Sequence, residues 1–311
     1  MRLPWRSYAI RISGSAAILL LLMLWLDPRQ MLAHLRQAPP GVLALAVAFF
    51  LGLHVLGAFK LHLLLNIEPL GLSFRYTLHC YLFGLSGNLL LPSAVGGDMV
   101  VLALALRKTR RRGGVLFALL VHRSIDLAAV LALAALGVAS IPRYHAMAMP
   151  ILWSAMAAGA AAVVMVALAA YAVHRKRLPF RWKRRQARLR RLLLSGARQP
   201  GRLAAAAGIA LGAQSGLFLM NAWLAKSVAL DVPWSVWFFA LPLAKIVSMA
   251  PVTLGGIGAR ELALAALLGL FGVERNLAVA ASLLWQGVVI AGCMSAGVFA
   301  ALLGGIAGRK Q

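Results

Sequence analysis

The chain has 311 residues, of which 62% are hydrophobic and 13% charged, and its mean hydropathy is +0.86. That balance excludes a soluble domain and describes an integral membrane protein, one all-α membrane domain over residues 1–311. The net charge of +25 sits on Lys and Arg gathered in short loops. The positive-inside rule accounts for that placement, so no nucleic-acid partner is expected.

The first span covers residues 8–26, with basic Arg2, Arg6 and Arg11 at its start. No small-residue cleavage site follows it, so it reads as an uncleaved span rather than a signal peptide. A loop through Pro39 and Pro40 leads to a second span over residues 42–65, interrupted by His54, Lys60 and His62. Lys60 lies near the cytoplasmic end and is expected to snorkel to the interface. Two histidines without a carboxylate or cysteine do not make a metal site, and none is expected.

Residues 73–106 form an apolar segment broken by LLLPSAVGGD at residues 89–98. The loop behind it holds Arg107, Lys108, Arg110, Arg111 and Arg112 and is expected in the cytoplasm. Spans over residues 114–139 and 148–173 follow, then a densely basic cytoplasmic loop over residues 174–202. The fifth span covers residues 203–225. Residues 234–271 form a second broken segment, with SMAPVTLGGIGARE at residues 248–261. The sixth span covers residues 277–306, and Arg309 and Lys310 follow it.

Both breaks place a proline, three residues, then two glycines: Pro92 with Gly96 and Gly97, Pro251 with Gly255 and Gly256. Proline removes a backbone donor, and glycine permits dihedrals that a helix interior refuses. In the bilayer core such backbone survives only buried in protein or lining a cavity. Counting sides from the basic loops sends the first broken segment in from the cytoplasm and back. The second enters from the outer face and returns there. The expected architecture is therefore six full spans plus two broken or re-entrant helical pairs, arranged as an inverted repeat with halves near 1–139 and 148–311. Inverted repeats with broken helices point to a transporter-type binding site; two loops at the membrane surface are the plainer alternative.

Ionisable residues within apolar segments mark where such a site would sit. Arg123 and Asp126 are three apart in the third span and can pair on one helix face. That pair is either a structural brace or part of a substrate site. Lys245 precedes the second break, Gly258, Arg260 and Glu261 follow its glycines, and Asp98 follows Gly97. Lys245, Arg260 and Arg123, with the helix N-termini after each break, suit a phosphate. Asp98 and Glu261 would balance those cations, carry protons, or only cap the helices they begin. A side chain added at Gly97 or Gly256 is expected to block backbone approach to the phosphate. Asn88, Gln214, Asn221 and Gln286 are expected to hydrogen-bond between helices, and Trp234 and Trp237 to join an interfacial aromatic belt. Cys80 and Cys293 are expected to pack as small hydrophobes. Gly84, Ser86 and Gly87 miss the nucleophile-elbow spacing by one position, and no other catalytic motif stands out.

At these residues the sequence resembles the lysylphosphatidylglycerol synthase transmembrane-region family of flippase-like membrane proteins. Tyr81, Gly84, Asn88, Pro92, Gly97 and Asp98 are similar to the family's N-x-L-L-P-x-x-x-G-[DE] stretch. Arg123 and Asp126 resemble its E-R-x-x-D element, and Pro251, Gly255, Gly256, Gly258 and Glu261 its P-x-x-x-G-G-x-G-x-x-E element. His122, Val101 and Gln286 depart from the residues the family often carries at these places. The resemblance implies the membrane half of such proteins, translocation or handling of a lipid, without aminoacylation.

The expected protein is thus a multi-pass protein of a bacterial-type inner membrane, both termini cytoplasmic. It moves or handles an amphipathic lipid or lipid-linked glycan, with an anionic or phosphate-bearing headgroup and no cofactor. The alternatives are an intramembrane lipid-modifying enzyme and an accessory subunit that partners an envelope-biosynthesis synthase.

Overall fold

A computed structural model describes residues 36, 38–67, 70–90, 96–144, 149–150, 153, 195–196, 198–248 and 258–308. The span expected over 8–26, nearly all of that over 148–173, most of the basic loop, and Pro92, Pro251, Gly255 and Gly256 lie outside this set. The described residues hold eight α-helices and no strand: α1 Pro40–Leu65, α2 Phe74–Leu90, α3 Gly96–Lys108, α4 Arg112–Ala139, α5 Pro200–Lys226, α6 Trp234–Ser248, α7 Ala259–Gly269 and α8 Arg275–Gly308. Of these, α1, α4, α5 and α8 are long and apolar enough to cross a membrane. Both α1 and α5 start with proline in the first turn, where the missing N–H costs nothing.

The four shorter helices form two hairpins. α2 and α3 together cover the first broken segment, and α6 and α7 the second. At 17, 13, 15 and 11 residues each is shorter than the ~20 residues that span a bilayer. The hydroxyl of Tyr76, at the start of α2, donates to the Leu104 carbonyl near the end of α3 at 2.7 Å. The first hairpin therefore returns to the level at which it began. Phe239 near the start of α6 meets Phe271, just past α7, edge-on at 5.7 Å between ring centroids.

Each hairpin packs on a long helix of the other half of the chain. α2 runs antiparallel to α8: His79 Nδ1 lies 2.8 Å from the Ala300 carbonyl, and Ser86 Oγ donates to the Cys293 carbonyl at 2.8 Å. α6 runs beside α4, beginning where α4 ends. There a Cβ at Gly137 would fall on the backbone of Phe238 and Phe239. Pro242, inside α6, cannot donate to the carbonyl of Phe238, and the bare face of Gly137 lets that strand of backbone approach. α1 and α5 pack against each other, and the start of α5 holds the end of α1. Gln199 Nε2 donates to the Ile67 carbonyl at 3.1 Å, and Arg202 to that of Asn66.

The largest apolar core gathers residues of α6, α7 and α8 with the ends of α4 and α5. Trp237 belongs to it, 1% exposed. This corrects the expected interfacial role. Helices α4, α5 and α7 surround α6, so this face of the hairpin meets protein rather than headgroups. Trp234 does stay exposed, with Lys226 Nζ 5.5 Å above its ring. Cys80 and Cys293 are both buried and free.

Candidate functional site: a charged cavity between the helices

A cavity of about 420 Å³ opens among α1 to α6. That is within the range of small-ligand sites. Its charged lining comes from four helices: Lys60 on α1, Asp98 on α3, Arg123 and Asp126 on α4, and Lys245 on α6.

The wall at the first break is built from glycines. Gly84 on α2 and Gly97 on α3 face each other so closely that a Cβ on Gly84 would sit 2.8 Å from the Gly97 carbonyl oxygen. A Cβ on Gly97 would meet the Asn88 side-chain oxygen at 2.5 Å. That oxygen already accepts the Gly97 N–H at 2.9 Å, so Asn88, near the end of α2, caps the start of α3. Gly97 therefore serves the contact between the two arms of the hairpin and also lines the cavity.

With the glycines packed, Asp98 emerges in the first turn of α3. It does not merely cap its own helix. Its two oxygens accept both arms of the Arg123 guanidinium, Nε to Oδ2 at 2.6 Å and Nη2 to Oδ1 at 3.0 Å. The Arg123–Asp126 pair expected from helical spacing is thus replaced. The fork of Arg123 reaches a carboxylate on the neighbouring helix with both donors, a geometry a three-residue step on one helix does not offer.

Asp126 is held instead by Lys60, whose ammonium donates to Oδ1. The expected snorkelling of Lys60 is overturned: the residue is 2% exposed. A carboxylate within reach in low dielectric attracts far more strongly than one across water, so the stem turns inward. The other oxygen of Asp126 faces His122 Nε2 at 3.4 Å. His122 Nδ1 is buried with no hydrogen-bond partner among the described residues.

Across the cavity Lys245 donates to Gln214 Oε1 at 2.7 Å. Gln214 thus bridges helices as expected, but its partner is a cation that no carboxylate touches among the described residues. His54 Nδ1 and the Tyr81 hydroxyl, 3.2 Å apart, complete a polar edge.

The residues behind the second break do other work. Gly258 takes φ +87°, which side-chain-bearing residues rarely adopt, and begins α7. Its N–H donates to Glu261 Oε2 at 2.6 Å. Glu261, 2% exposed, is a helix cap. The Arg260 guanidinium lies 5.8 Å over the Trp285 ring. Neither Arg260 nor Glu261 lines the cavity. Gly96 is buried in the first turn of α3. Ser86 Oγ is spent on the carbonyls of Leu82 and Cys293.

Lys60, His54, His122 and Gln214 were visible in the sequence as polar breaks in apolar runs, and only the fold assembles them. No curated protein and no solved structure matches the chain. The profile of the lysylphosphatidylglycerol synthase TM region matches residues 10–297, nearly the whole chain. With its apolar helices this describes a multi-pass membrane protein engaged in lipid-related processes. The chain belongs to the lysylphosphatidylglycerol synthase transmembrane-region family.

Proposed function

We propose that the protein carries an amphipathic lipid between leaflets, with a phosphate-bearing headgroup held in the cavity. The observation that carries this is Lys245. Among the described residues, the charged lining has three cations, Lys60, Arg123 and Lys245, against two carboxylates, Asp98 and Asp126. One positive charge is left over, and it is the one held only by a neutral amide. An ammonium in a site walled by apolar helices is costly without a counter-charge, and an anion supplies it. Histidine, tyrosine and amide groups around the rest of the lining suit phosphate oxygens and hydroxyls.

The same reading takes the halves near 1–139 and 148–311 as inverted repeats of one membrane domain in an inner membrane, both termini cytoplasmic. Supporting it is the exchange of contacts described above. α2 packs on α8 as α6 packs on α4, α1 meets its counterpart α5, and the cavity lies between the halves. The reading makes the protein a carrier rather than an enzyme. A synthase that makes its lipid is the partner it would serve.

The test is exchange of a fluorescent phosphatidylglycerol across sealed proteoliposomes. Exchange above that of empty vesicles, weakened by Lys245→Ala more for the anionic lipid than for phosphatidylcholine, is expected. Rates equal to empty vesicles would overturn transport. Chemical conversion of the lipid in detergent would move the reading to an enzyme.

A further inference from the structure

The two ion pairs of the cavity differ in kind. Asp98 is locked: both oxygens take a guanidinium fork at 2.6 and 3.0 Å, and arginine does not lose its proton. Asp126 has only a point-charge partner, the ammonium of Lys60 on Oδ1, while Oδ2 stands 3.4 Å from the imidazole of His122. His122 is 5% exposed, and its Nδ1 has no hydrogen-bond partner among the described residues. Protonated, the ring would offer Nε2–H to Asp126 and keep Nδ1–H as an unused donor. Buried polar atoms without partners are rare enough in native structures to ask what fills the place.

We propose that Asp126 and His122 form a proton site coupled to the headgroup site, so that an anion entering the cavity draws a proton onto this pair. The inference rests on the anion-binding reading above. Among the described residues, the titratable groups that line the cavity with the pair are His54 and Lys60 from α1, Tyr81 from α2, Asp98 from α3, Arg123 on α4 itself and Lys245 from α6, with neutral Gln214 from α5.

The sign follows from this set. An anion beside the pair favours whichever state of the pair holds one more proton. The step is an addition of H⁺ from water to the carboxylate or the imidazole; no bond of the lipid is made or broken. Protonation in turn loosens the hold of Asp126 on Lys60, leaving a second ammonium for the phosphate. Linkage makes the effects reciprocal: anion binding takes up protons, and lower pH tightens anion binding. For one proton the limit is about tenfold in affinity per pH unit. A lipid carried inward or outward with that proton would respond to a pH gradient across the membrane.

The probe is dihexanoylphosphatidylglycerol, a phosphodiester that does not itself titrate near neutrality. Its binding to the detergent-solubilised protein is followed by calorimetry in buffers of different ionisation enthalpy. The expected result is uptake approaching one proton per lipid bound, with affinity rising as pH falls from 8 to 6. The double variant Lys60→Met/Asp126→Asn removes one charge of each sign and leaves the surplus at Lys245 intact. It should bind the probe more weakly than wild type, since Lys60 is no longer there to reach it, and the protons taken up per lipid bound should fall by at least half. Wild-type binding with no uptake and no pH dependence would overturn the proton site and leave the headgroup site standing. Undiminished uptake in the double variant would overturn the assignment to Asp126. No binding at all, at any pH, would overturn both readings.

Discussion

Lys60 and Asp126 offer the sharpest check on how this interior is held, because each is the other's main counter-charge. Replacing Asp126 by Asn strands an ammonium that is 2% exposed; replacing Lys60 by Met strands a carboxylate that is 26% exposed. Two unit charges 4 Å apart attract by about 4 kcal/mol at an effective dielectric of 20. Removing one partner of a buried pair costs about 3–5 kcal/mol, whereas replacing both with neutral groups of similar shape is often near neutral. Asp126 borders the cavity, where water can screen it. The Lys60→Met single variant should therefore fall at or below the low end, about 2–3 kcal/mol, and Asp126→Asn higher, about 3–5 kcal/mol. The double variant should lie within about 1 kcal/mol of wild type, a coupling far above the scatter of independent sites. Reversible denaturant unfolding in mixed micelles measures all four proteins. Additive single and double variants would refute the pairing. A larger coupling between Arg123 and Asp126 than between Lys60 and Asp126 would refute the placement of both side chains.

Other outcomes follow from the glycines and the topology. Gly97→Ala should destabilise by about 1–3 kcal/mol through overpacking against Asn88 and Gly84, seen as a lower melting temperature; an unchanged value would show that the hairpin arms are not in contact. Gly258→Ala should cost about 1–3 kcal/mol because φ is +87° there. Glu261→Ala should also destabilise by about 1–3 kcal/mol, while Glu261→Gln, which keeps an acceptor for the Gly258 N–H, should lose less. Cysteines placed singly at Ser195 and Ser140 in an otherwise cysteine-free protein should label from opposite faces, and labelling of both from one face would sink the inverted-repeat reading.

The long helices were legible because a bilayer writes them plainly. Length and hydropathy put α1, α4, α5 and α8 within three residues of their observed ends, with proline or basic residues at several of the boundaries. The breaks were legible as well, since proline followed by paired glycine contradicts a continuous helix. Partnership was not legible. Helical spacing sees only neighbours three or four positions away, so it joined Arg123 to Asp126 and missed Asp98, 25 residues distant, and Lys60, 66 residues from its partner. Local sequence shows Gly97 only as backbone that a ligand could approach. Which side of a glycine is crowded depends on the opposite arm of the hairpin, and no local pattern records that.

The Asp98–Arg123 pair then acquires a role different from that of a phosphate anchor. Arg123 is half exposed, yet both of its donors to Asp98 are engaged, so its charge is already answered. What the pair does is fix α3 against α4 at the point where the first hairpin begins its return arm. Asn88 fixes the same turn of α3 from the other side through the Gly97 N–H. The hairpin arm is thus clamped at successive residues, 97 and 98, one by a neutral bond and one by an ionic fork. Among the cavity's cations, Lys245 alone is held by a neutral partner, and it sits on the opposite hairpin. An anion bound there would touch the second hairpin while the first stays clamped to α4.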